Sequence, residues 1–111
     1  MAATVDSNKP VQMDPVLTCE LRLSSCTSGL KETLTPTGAP SGVAPDEVEM
    51  ELINVPTDGS TVTMVHDPDD DSTSANTFAV TFNTPAGGAL DGAKILVRAR
   101  YRAQASGGIT S

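Results

Sequence analysis

Apolar and polar residues alternate with a period of two through most hydrophobic stretches of this chain. In VLTCELRLS, residues 16–24, Cys19, Leu21 and Leu23 fall on one side while Thr18, Glu20, Arg22 and Ser24 fall on the other. That is the pattern of a strand with one buried face. NTFAVTFN sets Phe78, Val80 and Phe82 against Thr77, Ala79 and Thr81. KILVRARYRA, residues 94–103, places Ile95, Val97, Ala99, Tyr101 and Ala103 opposite Lys94, Leu96, Arg98, Arg100 and Arg102. Clusters of Pro, Gly and Asp separate these runs, and no segment carries a helical period. The fold class that follows is all-β.

Residues 47–66 carry the strongest local signal. EVEMELINV and STVTMVH flank PTDGS, whose Asp58-Gly59 pair suits a two-residue type I′ turn. Such a turn predicts a hairpin in which Val55 opposes Val62, Ile53 opposes Met64 and Leu52 opposes Val65. Val48, Met50, Leu52 and Val65 would then face the core. Ile53, Val55, Val62 and Met64 would lie on the opposite face, beside Glu47, Glu49 and Glu51. An apolar set on an outer face is an expected contact with another chain, unless the long loop covers it or a bulge near Pro56 switches the facing.

A length of 111 residues fits one domain with one modest core. With two Phe, one Tyr and no Trp, that core has to be built from Val, Leu, Ile, Met and Ala. The expected division is an extended arm at 1–10, a small antiparallel β-sandwich at 11–105 and a flexible tail at 106–111. Residues 27–46, rich in Pro, Gly and Thr, read as a long loop with a short strand at Leu30–Leu34. The functional reading of this loop is an arm that orders on a partner. The first ten residues, MAATVDSNKP, lack the basic start and apolar stretch of a secretory signal, and no run is long enough to span a bilayer. Synthesis in the cytoplasm is the expectation, with Cys19 and Cys26 reduced when made. On one continuing strand the two thiols would start about 20 Å apart, so a bridge needs a sharp reversal. A buried thiol, an internal disulfide and an intermolecular or regulatory thiol are the open readings.

Charge changes the picture most. Fourteen acids face seven bases, a net charge of −7. Residues 1–93 hold all the acids and three bases, leaving −11, whereas residues 94–111 hold four bases and no acid, giving +4. A surface of that sign repels phosphates, so neither nucleic acid nor an anionic membrane is an expected partner. Arg98, Arg100 and Arg102 share a strand face, and Glu47, Glu49 and Glu51 form an acidic comb of the same period. Either the combs are neighbours within one chain, or each faces its opposite on another subunit, where complementarity fixes register and partner choice.

Candidate chemistry is sparse. Asp67, Asp69 and Asp71 have the spacing that begins a calcium loop, but Ser72 stands where Gly is needed and Phe78 where Glu is. His66 is the sole histidine, and no serine lies in a nucleophile context. His66 reads instead as a hairpin-edge residue facing Glu51. The C-x6-C spacing has no further ligands at zinc-site distances. No catalytic residue, cofactor or metal is expected, and the expectation is a non-enzymatic protein.

In LDGAKILVRA, residues 90–99, Leu90, Gly92, Ile95, Val97 and Ala99 resemble the penultimate strand of immunoglobulin-like and fibronectin type III domains. Ile95 stands where those domains have a Tyr, and the spacing departs by one residue. The resemblance implies an Ig-like β-sandwich, with an open edge available for strand addition. Acidic, aromatic-poor β domains with loose arms also resemble the decoration, or cement, proteins of bacteriophage capsids. What that implies is a virion component, oligomeric or assembly-bound, whose partners are the major capsid protein or neighbouring copies. Ile53, Val55, Val62, Met64, Arg98, Arg100 and Arg102 are then the expected contact residues. The alternative is a binding module outside any virion that recognises a protein or glycan through its loops.

Overall fold

The computed structural model describes residues 3–12, 16–85 and 87–102, without the side chains of Gln12 and Arg102. Among the described residues, seven strands and one short turn of 3₁₀ helix, Pro68–Asp70, make up the regular structure: β1 Thr4–Gln12, β2 Val16–Ser24, β3 Lys31–Leu34, β4 Glu47–Asn54, β5 Thr63–His66, β6 Phe78–Asn83 and β7 Lys94–Arg102. They form two antiparallel sheets, one in the order β1-β2-β7-β4 and the other in the order β3-β6-β5. The protein is an all-β sandwich.

Alternation along the strands builds the shared core. Cys19, Leu21 and Leu23 of β2 and Ile95, Val97, Ala99 and Tyr101 of β7 face Phe78, Val80 and Phe82 of β6 and Leu34 of β3. Val48, Met50 and Leu52 of β4 pack against the same cluster. Phe78, Phe82, Val97 and Tyr101 thus meet in one core, as the period-two pattern implies. One acid intrudes: Glu32, on the inward side of β3, is only 2% exposed. Its Oε1 accepts the Ala3 N–H at 2.9 Å, and its Oε2 is buried without a hydrogen-bond partner among the described residues.

The hairpin expected at Asp58-Gly59 does not form. β4 pairs with β7 and β5 with β6, so the two strands belong to different sheets. The turn closes one step earlier: the Gly59 N–H donates to the Pro56 carbonyl, and only Gly59 has positive φ. A type I′ turn needs positive φ at both central residues. Ser60 donates from its N–H and hydroxyl to Asp58 Oδ1, which fixes the bend locally and holds the Asp58 carboxyl below its ordinary range. The consequence is a reversal of facing. Met64 lies opposite Phe82 and packs inward with Val62, while Val65, opposite Thr81, is exposed.

Two other expectations change. Residues 4–10 do not stand apart as an arm, because β1 pairs along β2 as the edge of the four-stranded sheet. The 35–46 loop is fastened to the body. Asn8 donates to the Thr35 carbonyl and accepts the Thr37 N–H, and Asn76 accepts the Gly42 N–H. The short strand within 27–46 is present as β3. The expected tail at 106–111, and Ala103, lie outside the described residues.

The strand order also differs from the immunoglobulin arrangement, in which the fifth strand lies between the second and fourth and the seventh pairs with the sixth. Here the fifth and seventh have exchanged places. The arginine segment, compared above with a penultimate strand, is β7, and it stands inside its sheet. The open edges are β1 and β4 in one sheet and β3 and β5 in the other.

Candidate interaction site

The outward face of the four-stranded sheet is a charged lattice. Lys9 opposes Glu20, Glu20 opposes Arg98 and Arg98 opposes Glu49, so the sign alternates across all four strands. Arg98 reaches Glu20 at 3.2 Å and Glu51 at 3.3 Å. Arg100 reaches Glu49 at 2.7 Å and Glu47 at 3.4 Å. The hydrogen bond from Arg100 to Glu49 is the largest influence raising its guanidinium pKa above the ordinary value. Two of the three arginines are therefore neutralised within the chain, while the side chain of Arg102 lies outside the description. Leu96 shares this face and is buried among the longer side chains, whose aliphatic stems can cover apolar surface.

Of the four apolar contact candidates, two point outward and two do not. Ile53 is 41% exposed and Val55 65% exposed. Val62 and Met64 pack against the core, because β5 joined the other sheet.

A feature not foreseen from the sequence lies beside Ile53. A cleft of about 440 Å³ is lined by Asp6 of β1, Arg22 and Ser24 of β2, Lys94 of β7, and Ile53 and Asn54 of β4. Among the described residues, Arg22 and Lys94 have no ion-pair partner. At the opposite end, a smaller cleft of about 260 Å³ is lined by Val16, Asp46, Glu47 and Arg100.

The remaining polar groups serve the fold. His66 does not face Glu51. Its Nε2 meets Asp71 Oδ2 at 2.9 Å and its ring packs edge-on against Phe78. Asp71 Oδ1 also accepts the Ala79 N–H, Asp67 accepts the Thr81 hydroxyl, and Asp70 pairs with Lys31. Asp67, Asp70 and Asp71 of the acidic turn are thus committed to separate partners, while Asp69 is exposed. No group of three potential metal ligands converges among the described residues. Cys19 and Cys26 are both free and buried. Burial raises both thiols, and Cys26, with Glu32 and Asp6 adding to the effect, is pushed up to about 11. Thiols held protonated in this way are poor nucleophiles at neutral pH.

Comparison with known proteins returned no matching family model, no matching curated protein and no matching solved structure.

Proposed function

We propose that this chain is a non-enzymatic structural module of a larger assembly, of the kind that decorates or cements a bacteriophage capsid. Its partners would be the major capsid protein or neighbouring copies of itself. The observation that carries this reading is the outward exposure of Ile53 and Val55, two aliphatic side chains at the same end of β4 and its following loop. A chain so lean in large apolar residues leaves two of them in water on one rim.

Magnitude bears on the kind of partner. Fully burying one such side chain contributes about 1.5–3 kcal/mol, and association has translational and rotational entropy to overcome. Two residues cannot hold a solitary partner. Repeated over many copies on one lattice, weak contacts become firm through effective concentration. Arg98 and Arg100 drop out of the contact set, since carboxylates of the same chain already hold them.

The test is sedimentation of a tagged chain in its native setting. The wild type should travel with large particles. The double variant Ile53→Ser, Val55→Ser should stay at the position of the free protein while keeping its melting temperature. A variant that still travels with the particles, or a wild type that never does, removes the reading.

A further inference from the structure

Each edge strand of the four-stranded sheet carries a β-bulge at the same end. In β1 the register shifts between Val5 and Ser7, which leaves Asp6 as the extra residue. In β4 it shifts between Leu52 and Asn54, which leaves Ile53 as the extra residue. Both extra residues line the 440 Å³ cleft, from opposite sides, with Arg22, Ser24 and Lys94 on the two strands between them. Bulges bend a strand and re-aim a side chain, and they recur beside binding sites. Two that turn their extra residues onto one cleft make a shaped site.

The charges in the cleft are also unusual for this chain. Acids outnumber bases two to one, and the lattice lower on the same face pairs each of its inner arginines with two carboxylates. Arg22 and Lys94 nonetheless have no ion-pair partner among the described residues. With Asp6 opposite, the cleft carries one net positive charge. That balance suits a monoanion better than a phosphate dianion or a polyanion. The guanidinium fork of Arg22 matches a carboxylate in shape. The Ser24 hydroxyl and the Asn54 amide can supply further donors, and Ile53 offers an apolar wall.

We propose that this cleft receives one carboxylate side chain from a partner polypeptide other than a second copy of this chain, with an aliphatic residue next to it in the partner resting on Ile53. The inference rests on the assembly reading and deepens it by naming the chemistry that the partner must present. Charge complementarity decides the occupant. Two bases without ion-pair partners among the described residues, Arg22 and Lys94, line this one hollow together.

The experiment is a titration of the isotopically labelled full chain, followed by NMR, with the blocked peptide N-acetyl-Leu-Glu-Leu-amide. Its Gln counterpart and inorganic phosphate serve as parallel probes. Saturating shifts are expected at the backbone amides of Asp6, Arg22, Ser24, Asn54 and Lys94 with the Glu peptide, and none with the Gln peptide. Arg22→Gln and Lys94→Gln should each weaken binding about tenfold at unchanged melting temperature, since both side chains are exposed. If Arg22→Gln unfolds the protein, Lys94→Gln alone decides. Equal binding of the two peptides, stronger binding of phosphate, or no saturating shift in the cleft overturns the proposal. Cleft shifts that grow with protein concentration in the absence of peptide would identify a second copy as occupant and overturn the assignment to a different partner. A cleft that ignores the peptide in a protein that still joins its particle defeats this inference alone. Failure of the sedimentation test defeats the reading beneath it.

Discussion

Arg98 on β7 donates from Nε to Oε2 of Glu20 on β2 at 3.2 Å, across 78 residues of sequence. This is the least exposed ion pair on the sheet face, with side chains 31% and 19% exposed. It ties the two central strands of the larger sheet together, and the glutamates of β4 continue the same lattice to the edge.

Removing Arg98 should therefore cost stability directly. Arg98→Ala is expected to lower it by about 1 kcal/mol, the upper range for a half-exposed pair. Arg98→Glu should cost more, because it sets a third carboxylate between Glu20 and Glu51. Adding Glu20→Lys and Glu51→Lys to Arg98→Glu should restore part of the loss. Urea midpoints of the single and combined variants test this, and strictly additive effects would show that the groups do not interact.

The phenyl rings of β6 dominate the core. Phe78→Ala and Phe82→Ala are each expected to destabilise by about 3–5 kcal/mol, a large part of what a domain of this size has in hand. Thermal melting decides the matter, and an unchanged curve for either variant would contradict the packing described.

Asp71 and Asp69 sit two residues apart in the acidic turn and should behave differently. Asp71 accepts from both the His66 ring and the Ala79 N–H. Asp71→Ala strands a buried donor and should cost about 1–3 kcal/mol. Asp69 is exposed and makes no such bond among the described residues, so Asp69→Ala should stay within about 0.5 kcal/mol. Chemical denaturation of the two variants side by side separates structural acids from solvated ones.

Alkaline pH should loosen the fold through Cys26. Its thiol has an ordinary pKa of 9.0 and is pushed up to about 11 by burial. Below 9.0 both folded and unfolded chains hold the proton, and the contribution is complete. Between 9.0 and about 11 the unfolded chain releases it first, so stability falls as pH rises, by about 2–3 kcal/mol over the window. Tyr101 is raised in the same sense by burial and adds to the loss at higher pH. The slope of stability against pH should be shallower in Cys26→Ala, and an identical slope would exclude this thiol as a source.

The strands legible in the sequence are those whose partners impose strict alternation. β2, β6 and β7 each bury one face, and period two reveals it without any knowledge of neighbours. The match between the glutamate comb and the arginine comb was visible for the same reason. What local pattern could not supply was the choice of sheet. Asp58-Gly59 is compatible with a hairpin and equally with a turn that carries the chain across to the other layer. The contacts that select the crossing are distant: the Thr57 N–H donates to the Asp91 carbonyl, and Gly92 presses against Thr57. Because that choice also sets the facing along β5 and of the residue before it, local alternation puts Val62, Met64 and Val65 each on the side opposite the one they occupy. The cleft is not legible in the sequence, because bulges depend on register between strands far apart in the chain. Alternation within Asp6 to Ser7, or within Leu52 to Asn54, contains no sign of one.

The exchange of the fifth and seventh strands has a kinetic consequence. Among the described residues β4 has β7 as its one strand neighbour, and β2 shares its inner side with the same strand. As the chain leaves the ribosome, β1 and β2 can pair early, and β3, β5 and β6 can follow. β4 must wait, with its edge unsatisfied, until residues 94–102 emerge. Closure of the larger sheet is then a single late insertion that joins segments remote in sequence, the kind of event that makes folding slow and leaves an interval open to misassociation.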